Sequence, residues 1–278
     1  MTEMLPKMSD TAKVFRYQAG ETCETLDEIA LEEPLEIRVR GRALSVTMRT
    51  PGHDDELTAG FLLSEGIIRS TADVLKIEGC DRNESGNVIN VQLAPLIAVD
   101  FEKLTRHVFA SSSCGLCGKA TIDALHALFP HCESDVEVEA ATILSLPEKM
   151  RRAQQIFSRT GGLHAAALFN TAGDLLILRE DIGRHNAVDK VLGHALLNRF
   201  SSLDRTVLLV SGRTSFEILQ KALSARIPIL AAVSAPSSLA VQFAGENGQT
   251  LIGFLRGDRM NIYSHPQRVR FERVSDPA

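Results

Sequence analysis

The stretch Val207–Phe254, VLLVSGRTSFEILQKALSARIPILAAVSAPSSLAVQFAGENGQTLIGF, decides the fold. Val207–Val210 is a short continuous apolar run, and Phe216–Ala225 has helical composition. Ile227–Val233 is apolar again, Ser238–Gly245 is helical, and Leu251–Phe254 closes the series. Apolar runs of this length alternating with helices predict a βαβαβ unit with right-handed crossovers and parallel strands. The predicted class is α/β. If the three strands are parallel neighbours, the segments that follow them leave one edge of the sheet together. These are Ser211–Ser215, Ser234–Ser238 and Leu255–Arg259, the last of which reads on from Phe254. Open α/β sheets bind ligands at that edge. Glycine admits a close approach, helix starts offer N–H groups, and arginine presents a fork to phosphate. The expected ligand is a phosphorylated, nucleotide-like molecule. Neither GxGxxG nor a Walker pattern is present, so NAD and ordinary NTP readings lack their signatures.

Working back along the chain, Leu175–Leu178 and Leu163–Phe169 flank a turn at Asn170–Asp174 and predict a hairpin, with a helix to follow over Arg184–Leu197. Pro147–Ser158 is an amphipathic run. Nearer the start, Leu35, Ile37 and Val39 alternate with polar residues, Gly41 interrupts, and Leu44, Val46 and Met48 alternate again, which is a hairpin with one buried face. Acidic Asp54, Asp55 and Glu56 open a helix that stops at Gly66, and Val74–Ile77 and Val88–Leu93 predict two more strands. Met1–Ala12 shows no period and reads as a loose lead-in. The resulting division is a smaller α+β domain over 1–105, a connecting segment over 106–146, and a larger α/β domain over 147–278.

Composition sets limits on function. Apolar residues make up 44% and charged residues 23% of the 278, as in an ordinary globular chain. With 30 basic and 35 acidic side chains the net charge is −5, so there is no general basic field for nucleic acid and any anion site must be local. The early residues hold no apolar run of the secretory kind, and no stretch is long enough to span a membrane. Five cysteines, an odd number with a single close pair, suggest the reducing cytoplasm rather than a disulfide framework.

That close pair is Cys114 and Cys117, in Ser111-Ser112-Ser113-Cys114-Gly115-Leu116-Cys117-Gly118-Lys119, ahead of Ile122, Leu125, Leu128 and Phe129 at helical spacing. Small neighbours make the thiols approachable, and a helix start together with Lys119 would lower a thiolate's pKa. Three functions share this chemistry: dithiol exchange, a metal site, and sulfur transfer through a persulfide. Zinc wants about four ligands. The nearest extra candidates, His126, His131 and Cys132, are poorly placed to supply them, so no metal is assigned. A thioredoxin-like motif would follow the first strand of a βαβ unit, which this one does not.

Glu180-Asp181-Ile182-Gly183-Arg184-His185-Asn186 lies between strand and helix. Two basic residues at a helix start oppose the dipole preference, which leaves two explanations: an anionic ligand, or pairing with Glu180 and Asp181. His164, inside an apolar strand, reads as a structural histidine with its hydrogen bonds met. Cys23 and Cys80 read as plain thiols.

Taken together, these residues resemble the FdhD family of formate dehydrogenase accessory sulfurtransferases, from about Thr25 to Arg268. The matching segments are Phe61–Ile68, Cys114-Gly115-Leu116-Cys117-Gly118, Leu163–Ala167, Glu180–His185 and Tyr263–Arg268, in the same order. The resemblance implies that sulfur is taken from a cysteine desulfurase and passed to the molybdenum (or tungsten) bis-guanine-dinucleotide cofactor of formate dehydrogenase. It implies a homodimer and a larger domain similar to cytidine deaminase. It places the persulfide on Cys114, with Cys117 assisting. It also places the cofactor on Phe254, Leu255, Arg256, Gly257, Asp258 and Arg259, where Asp258 departs from the family's pattern and Arg259 keeps its arginine. A zinc deaminase needs H-x-E and P-C-x-x-C. This chain has His164-Ala165-Ala166 and Ser113 before Cys114, so deamination is not expected.

Overall fold

The computed structural model describes residues 7–79, 86–101 and 129–271. The deciding stretch folds as three adjacent parallel strands, β10 (Thr206–Val210), β11 (Ile229–Ala232) and β12 (Thr250–Arg256), linked by α5 (Phe216–Ser224) and α6 (Ser238–Glu246). Antiparallel partners extend this core on both sides. β8 (His164–Asn170) pairs with β10 and with β9 (Leu175–Asp181), and β13 (Arg259–Ser264) pairs with β12, which gives the order β13-β12-β11-β10-β8-β9. The sheet is mixed because β8 and β9 form a hairpin and β12 turns directly into β13.

Its two faces are both buried, as continuous apolar strands require. Ala166, Leu168, Leu208, Val210, Leu230 and Ala232 face one core together with α4 (Arg184–Leu197), α5 and α6. Ala165, Ala167, Phe169, Val207, Leu209, Ile229 and Ala231 face a second core built with α2 (Ala140–Ala153). The helix expected around Pro147 starts earlier, at Ala140, and carries Pro147 within it; a separate short helix, α3 (Gln155–Thr160), follows Gln154.

The N-terminal part builds a second sheet, β4-β3-β6-β5, from β3 (Glu33–Val39), β4 (Arg42–Arg49), β5 (Val74–Gly79) and β6 (Val88–Leu93). The β3–β4 turn is Arg40-Gly41, with both φ values positive, the conformation that two-residue hairpins favour. The lead-in is shorter than the sequence suggests. β1 (Ser9–Gln18) and β2 (Glu21–Ala30) form an antiparallel ribbon around Ala19-Gly20, again with positive φ at both positions. Most of its residues are exposed, Phe15 and Tyr17 included, so no apolar alternation marks it in the sequence. Two further short strands, β7 (Val138–Glu139) and β14 (Val269–Arg270), pair in parallel.

The two sheets are joined through α1 (Asp54–Ser64), which packs on α4. Gly60 and Gly193 make the approach possible, because a β-carbon on either would overlap the carbonyl of Asp189 or Glu56. Each charge buried in this seam is answered. Lys221 Nζ reaches both Asp189 oxygens (2.9 and 2.8 Å) and Ser64 Oγ (2.9 Å). Lys190 Nζ lies 2.7 Å from Asp181 Oδ2 and donates to the Thr50 carbonyl at 2.8 Å. Arg179 forks onto Glu56, which His194 Nδ1 also meets at 2.7 Å. Burial disfavours the charged form of Lys221, but Asp189, Glu217 and Glu65 together outweigh it and raise the pKa of the ammonium. Among the described residues, no helix is long and apolar enough to cross a membrane.

Candidate functional site

Because β10, β11 and β12 are parallel neighbours, the three following segments emerge on one edge, and the backbone laces them together. The Thr214 N–H donates to the Ala235 carbonyl (3.1 Å), the Ser237 N–H to the Thr214 carbonyl (2.9 Å), and the Phe254 N–H to the Ser234 carbonyl (3.1 Å). Thr214 and Pro236 form an isolated parallel bridge beyond the strand ends. β8 runs the other way, so its first residue, His164, falls at this same edge. The Ser211 N–H bonds to the Ala165 carbonyl (3.0 Å), and the Ala165 N–H to Ser211 Oγ (2.9 Å).

Leu255–Arg259 differs from the expected loop. β12 continues past Phe254 through a register irregularity to Arg256, Gly257-Asp258 makes the turn, and Arg259 pairs back opposite Arg256. Phe254 has φ +51°, in the left-handed region that non-glycine residues seldom occupy. The strand bends there, and the Phe254 ring stays partly open with the Arg256 guanidinium 5.9 Å from its centroid. Arg256, Gly257, Asp258 and Arg259 are exposed at the hairpin tip. Leu255 is fully buried in the second core, which leaves only its backbone to meet a ligand.

At the other end of the edge, Arg184 begins α4 and His185 follows it. His185 Nε2 stands 3.3 Å from Ser215 Oγ and 3.4 Å from Glu217 Oε2. Burial pushes the His185 imidazole down to about 4; Glu217 opposes this, and Lys221 and Arg184 reinforce it. His164 is also shifted downward, first by burial and then by the Arg184 charge. Contrary to the sequence reading, the His164 ring makes no hydrogen bond among the described residues. Arg184 Nε and Thr214 Oγ1 are buried without a partner among the described residues. Arg184, Arg213, Arg256 and Arg259 make no salt bridge among the described residues.

Cys114, Cys117, Lys119 and Cys80 lie outside the described residues. Cys23 is exposed on β2. Cys132 is buried, its N–H bonded to the Asn247 carbonyl, and burial pushes its thiol up. Among the described residues, no three His, Cys, Asp or Glu side chains gather as metal ligands. The edge joins two sets of residues that the sequence kept apart, the β12–β13 tip and the Arg184–His185 helix start. His164 is the member that sequence reasoning missed. Only the antiparallel course of β8 brings it there.

Fold and edge together define an α/β protein in which cationic groups that are unpaired among the described residues collect at the carboxyl ends of the parallel strands. The chain belongs to the FdhD/NarQ family, whose model matches residues 30–270. It is 49% identical over 271 residues to the sulfur carrier protein FdhD of Streptomyces avermitilis, covering 95% of this chain and 96% of that protein. It is 45% identical over 257 residues to the sulfur carrier protein FdhD of Saccharolobus solfataricus, covering 91% and 95%. A crystal structure described as that of a formate dehydrogenase accessory protein, from Desulfotalea psychrophila, superposes with a TM-score of 0.74 at 26% identity. That match covers 95% of this chain and all of the other.

Proposed function

We propose that this protein is a sulfur carrier that accepts sulfur as a persulfide on Cys114 and delivers it to the molybdenum or tungsten bis-guanine-dinucleotide cofactor of a formate dehydrogenase. The observation that carries this reading is the edge itself. Four arginines without acidic partners among the described residues lie around the ends of three parallel strands in a chain of net charge −5, and nearly full-length relatives are named sulfur carriers. Unpaired guanidinium groups are poor contributors to folding and good receptors for phosphates. Phe254 is a half-buried ring against which a guanine base could stack, and the tip Arg256–Arg259 offers the donors. The similarity of the larger domain to cytidine deaminase belongs to this proposal, with the H-x-E of deaminase chemistry replaced by His164-Ala165-Ala166.

In this scheme the Cys114 thiolate attacks the outer sulfur of a cysteine desulfurase persulfide. The S–S bond breaks, the desulfurase cysteine leaves as a thiolate, and Cys114 carries the sulfur. Delivery at the sulfide level needs two electrons, which the Cys117 thiolate supplies by attacking the inner sulfur of the Cys114 persulfide. The products are a Cys114–Cys117 disulfide and the released sulfide. Mass spectrometry after incubation with desulfurase and cysteine should show one added sulfur on Cys114. A Cys114→Ala variant that accepts sulfur as well as wild type would sink the assignment. A Cys114→Ala variant that still activates formate dehydrogenase in a strain lacking the protein would instead make this a cofactor-binding chaperone. Rapid reduction of insulin by the wild type would make it a dithiol oxidoreductase.

A further inference from the structure

The sequence left two explanations for the basic pair at the start of α4, and the structure removes one of them. Both Glu180 oxygens are taken by the Ile156 and Phe157 N–H groups (2.9 and 2.7 Å). Asp181 is taken by Lys190, by the Thr50 and Gly183 N–H groups and by the Asn186 amide. Neither carboxylate is left for Arg184, and its Nε is buried with no partner among the described residues, a costly placement for a charged donor.

What surrounds that guanidinium has the form of an anion cradle. A β-carbon on Gly212 would stand 3.4 Å from His164 Nδ1 and 3.5 Å from Arg184 Cδ, so the bare backbone lies between the ring and the arginine stem. The two helices that begin here, α4 at Gly183 and α5 at Ser215, both lack a side-chain cap, which leaves their first N–H groups available. Thr214, 1% exposed and in the same loop, adds a buried hydroxyl with no partner among the described residues. The carboxylate facing this cluster, Glu217, sits against His185, and Asp189 is held by Lys221. Burial lowers the pKa of both His164 and His185 and so favours their neutral forms, which leaves Arg184 as the fixed positive charge of the cradle.

We propose that Arg184, His164 and the Gly212 backbone form a phosphate subsite that takes the pyrophosphate of a guanine nucleotide whose base lies at the β12–β13 tip. The position of the base rests on the function proposed above; the subsite itself does not. β8, β10, β11 and β12 are successive neighbours, so three inter-strand steps, about 14 Å, separate the subsite from Phe254. The ligand therefore lies across the strand ends, phosphate at β8 and base at β12.

Calorimetric titration of the full chain with GDP, guanosine and inorganic pyrophosphate separates the two ideas. Arg184→Met keeps the stem and removes the charge. Gly212→Ala keeps every charge and puts a methyl group in ordinary contact inside the cradle. Thermal melts check that both variants fold. We expect wild type to bind pyrophosphate, and each variant to bind pyrophosphate and GDP about tenfold or more weakly with guanosine unchanged. Pyrophosphate bound by wild type and lost from Arg184→Met upholds the subsite even if guanosine does not bind, an outcome that overturns only the guanine reading. Wild type that binds no pyrophosphate, or Arg184→Met that binds pyrophosphate and GDP as wild type does, overturns the subsite.

Discussion

The seam between α1 and α4 and the carboxyl edge of the six-stranded sheet hold similar numbers of charged side chains and treat them in opposite ways. In the seam each cation has its anion within hydrogen-bond reach: Lys221 with Asp189, Lys190 with Asp181, Arg179 with Glu56. At the edge Arg184, Arg213, Arg256 and Arg259 make no ion pair among the described residues, and two neighbouring histidines are driven neutral. Burying a charge is tolerated only with a partner. Paired cations therefore mark architecture, while cations left open, one with a buried and unsatisfied Nε, mark the place where a partner from outside completes the set. On the function proposed above, the contrast places binding at the edge and stability in the seam, and it can be broken from either side.

The largest effect should come from Lys221→Ala, which strands Asp189 and Ser64 in the seam. A loss of about 3–5 kcal/mol in urea unfolding is expected, and a loss under about 1 kcal/mol would mean that the pair is not structural. Gly60→Ala follows, at about 1–3 kcal/mol or more, because the new methyl group must displace the Asp189 carbonyl and push the helices apart; an unchanged melt would contradict the close approach. A pH effect comes next. Burial works against ionised Glu56, but Arg179, His53 and His194 outweigh it and hold the carboxyl well below its ordinary 4.5. A depressed carboxylate contributes stability that is complete above that ordinary value and is lost as the pH falls toward the folded one. Stability measured downward from pH 5 should therefore drop, and Glu56→Gln should flatten that limb while lowering stability at neutral pH. The smallest effect belongs to the edge. Arg184→Met should not lower folding stability and should raise it by up to about 1 kcal/mol, since it removes a buried donor that has no partner among the described residues. Should it cost as much as Lys221→Ala, the edge would be scaffold too.

Some of these features are legible in the order of residues alone. The βαβαβ run is one, because parallel strands buried on both faces leave continuous apolar stretches, and Val207–Val210 and Ile227–Val233 are such stretches. The β3–β4 hairpin is another, because Arg40-Gly41 interrupts a two-residue alternation. The β1–β2 ribbon is not, since a strand with both faces largely in solvent carries no apolar period. The continuation of β12 through Leu255 is hidden as well, because the strand bends at Phe254 and a bulge breaks the alternation that would have announced it.

The sequence by itself determined the parallel α/β core, the arginine-bearing segment that follows its last strand and the unusual basic start of α4, since these rest on local composition and period. Only the tertiary structure decided that Glu180 and Asp181 were already spoken for, that His164 stands beside Gly212, and that Arg184 Nε is buried without a partner among the described residues. Whether a charge is satisfied depends on groups far along the chain, such as Thr50 for Asp181 and Ile156 for Glu180, and no local pattern encodes a contact made across the fold.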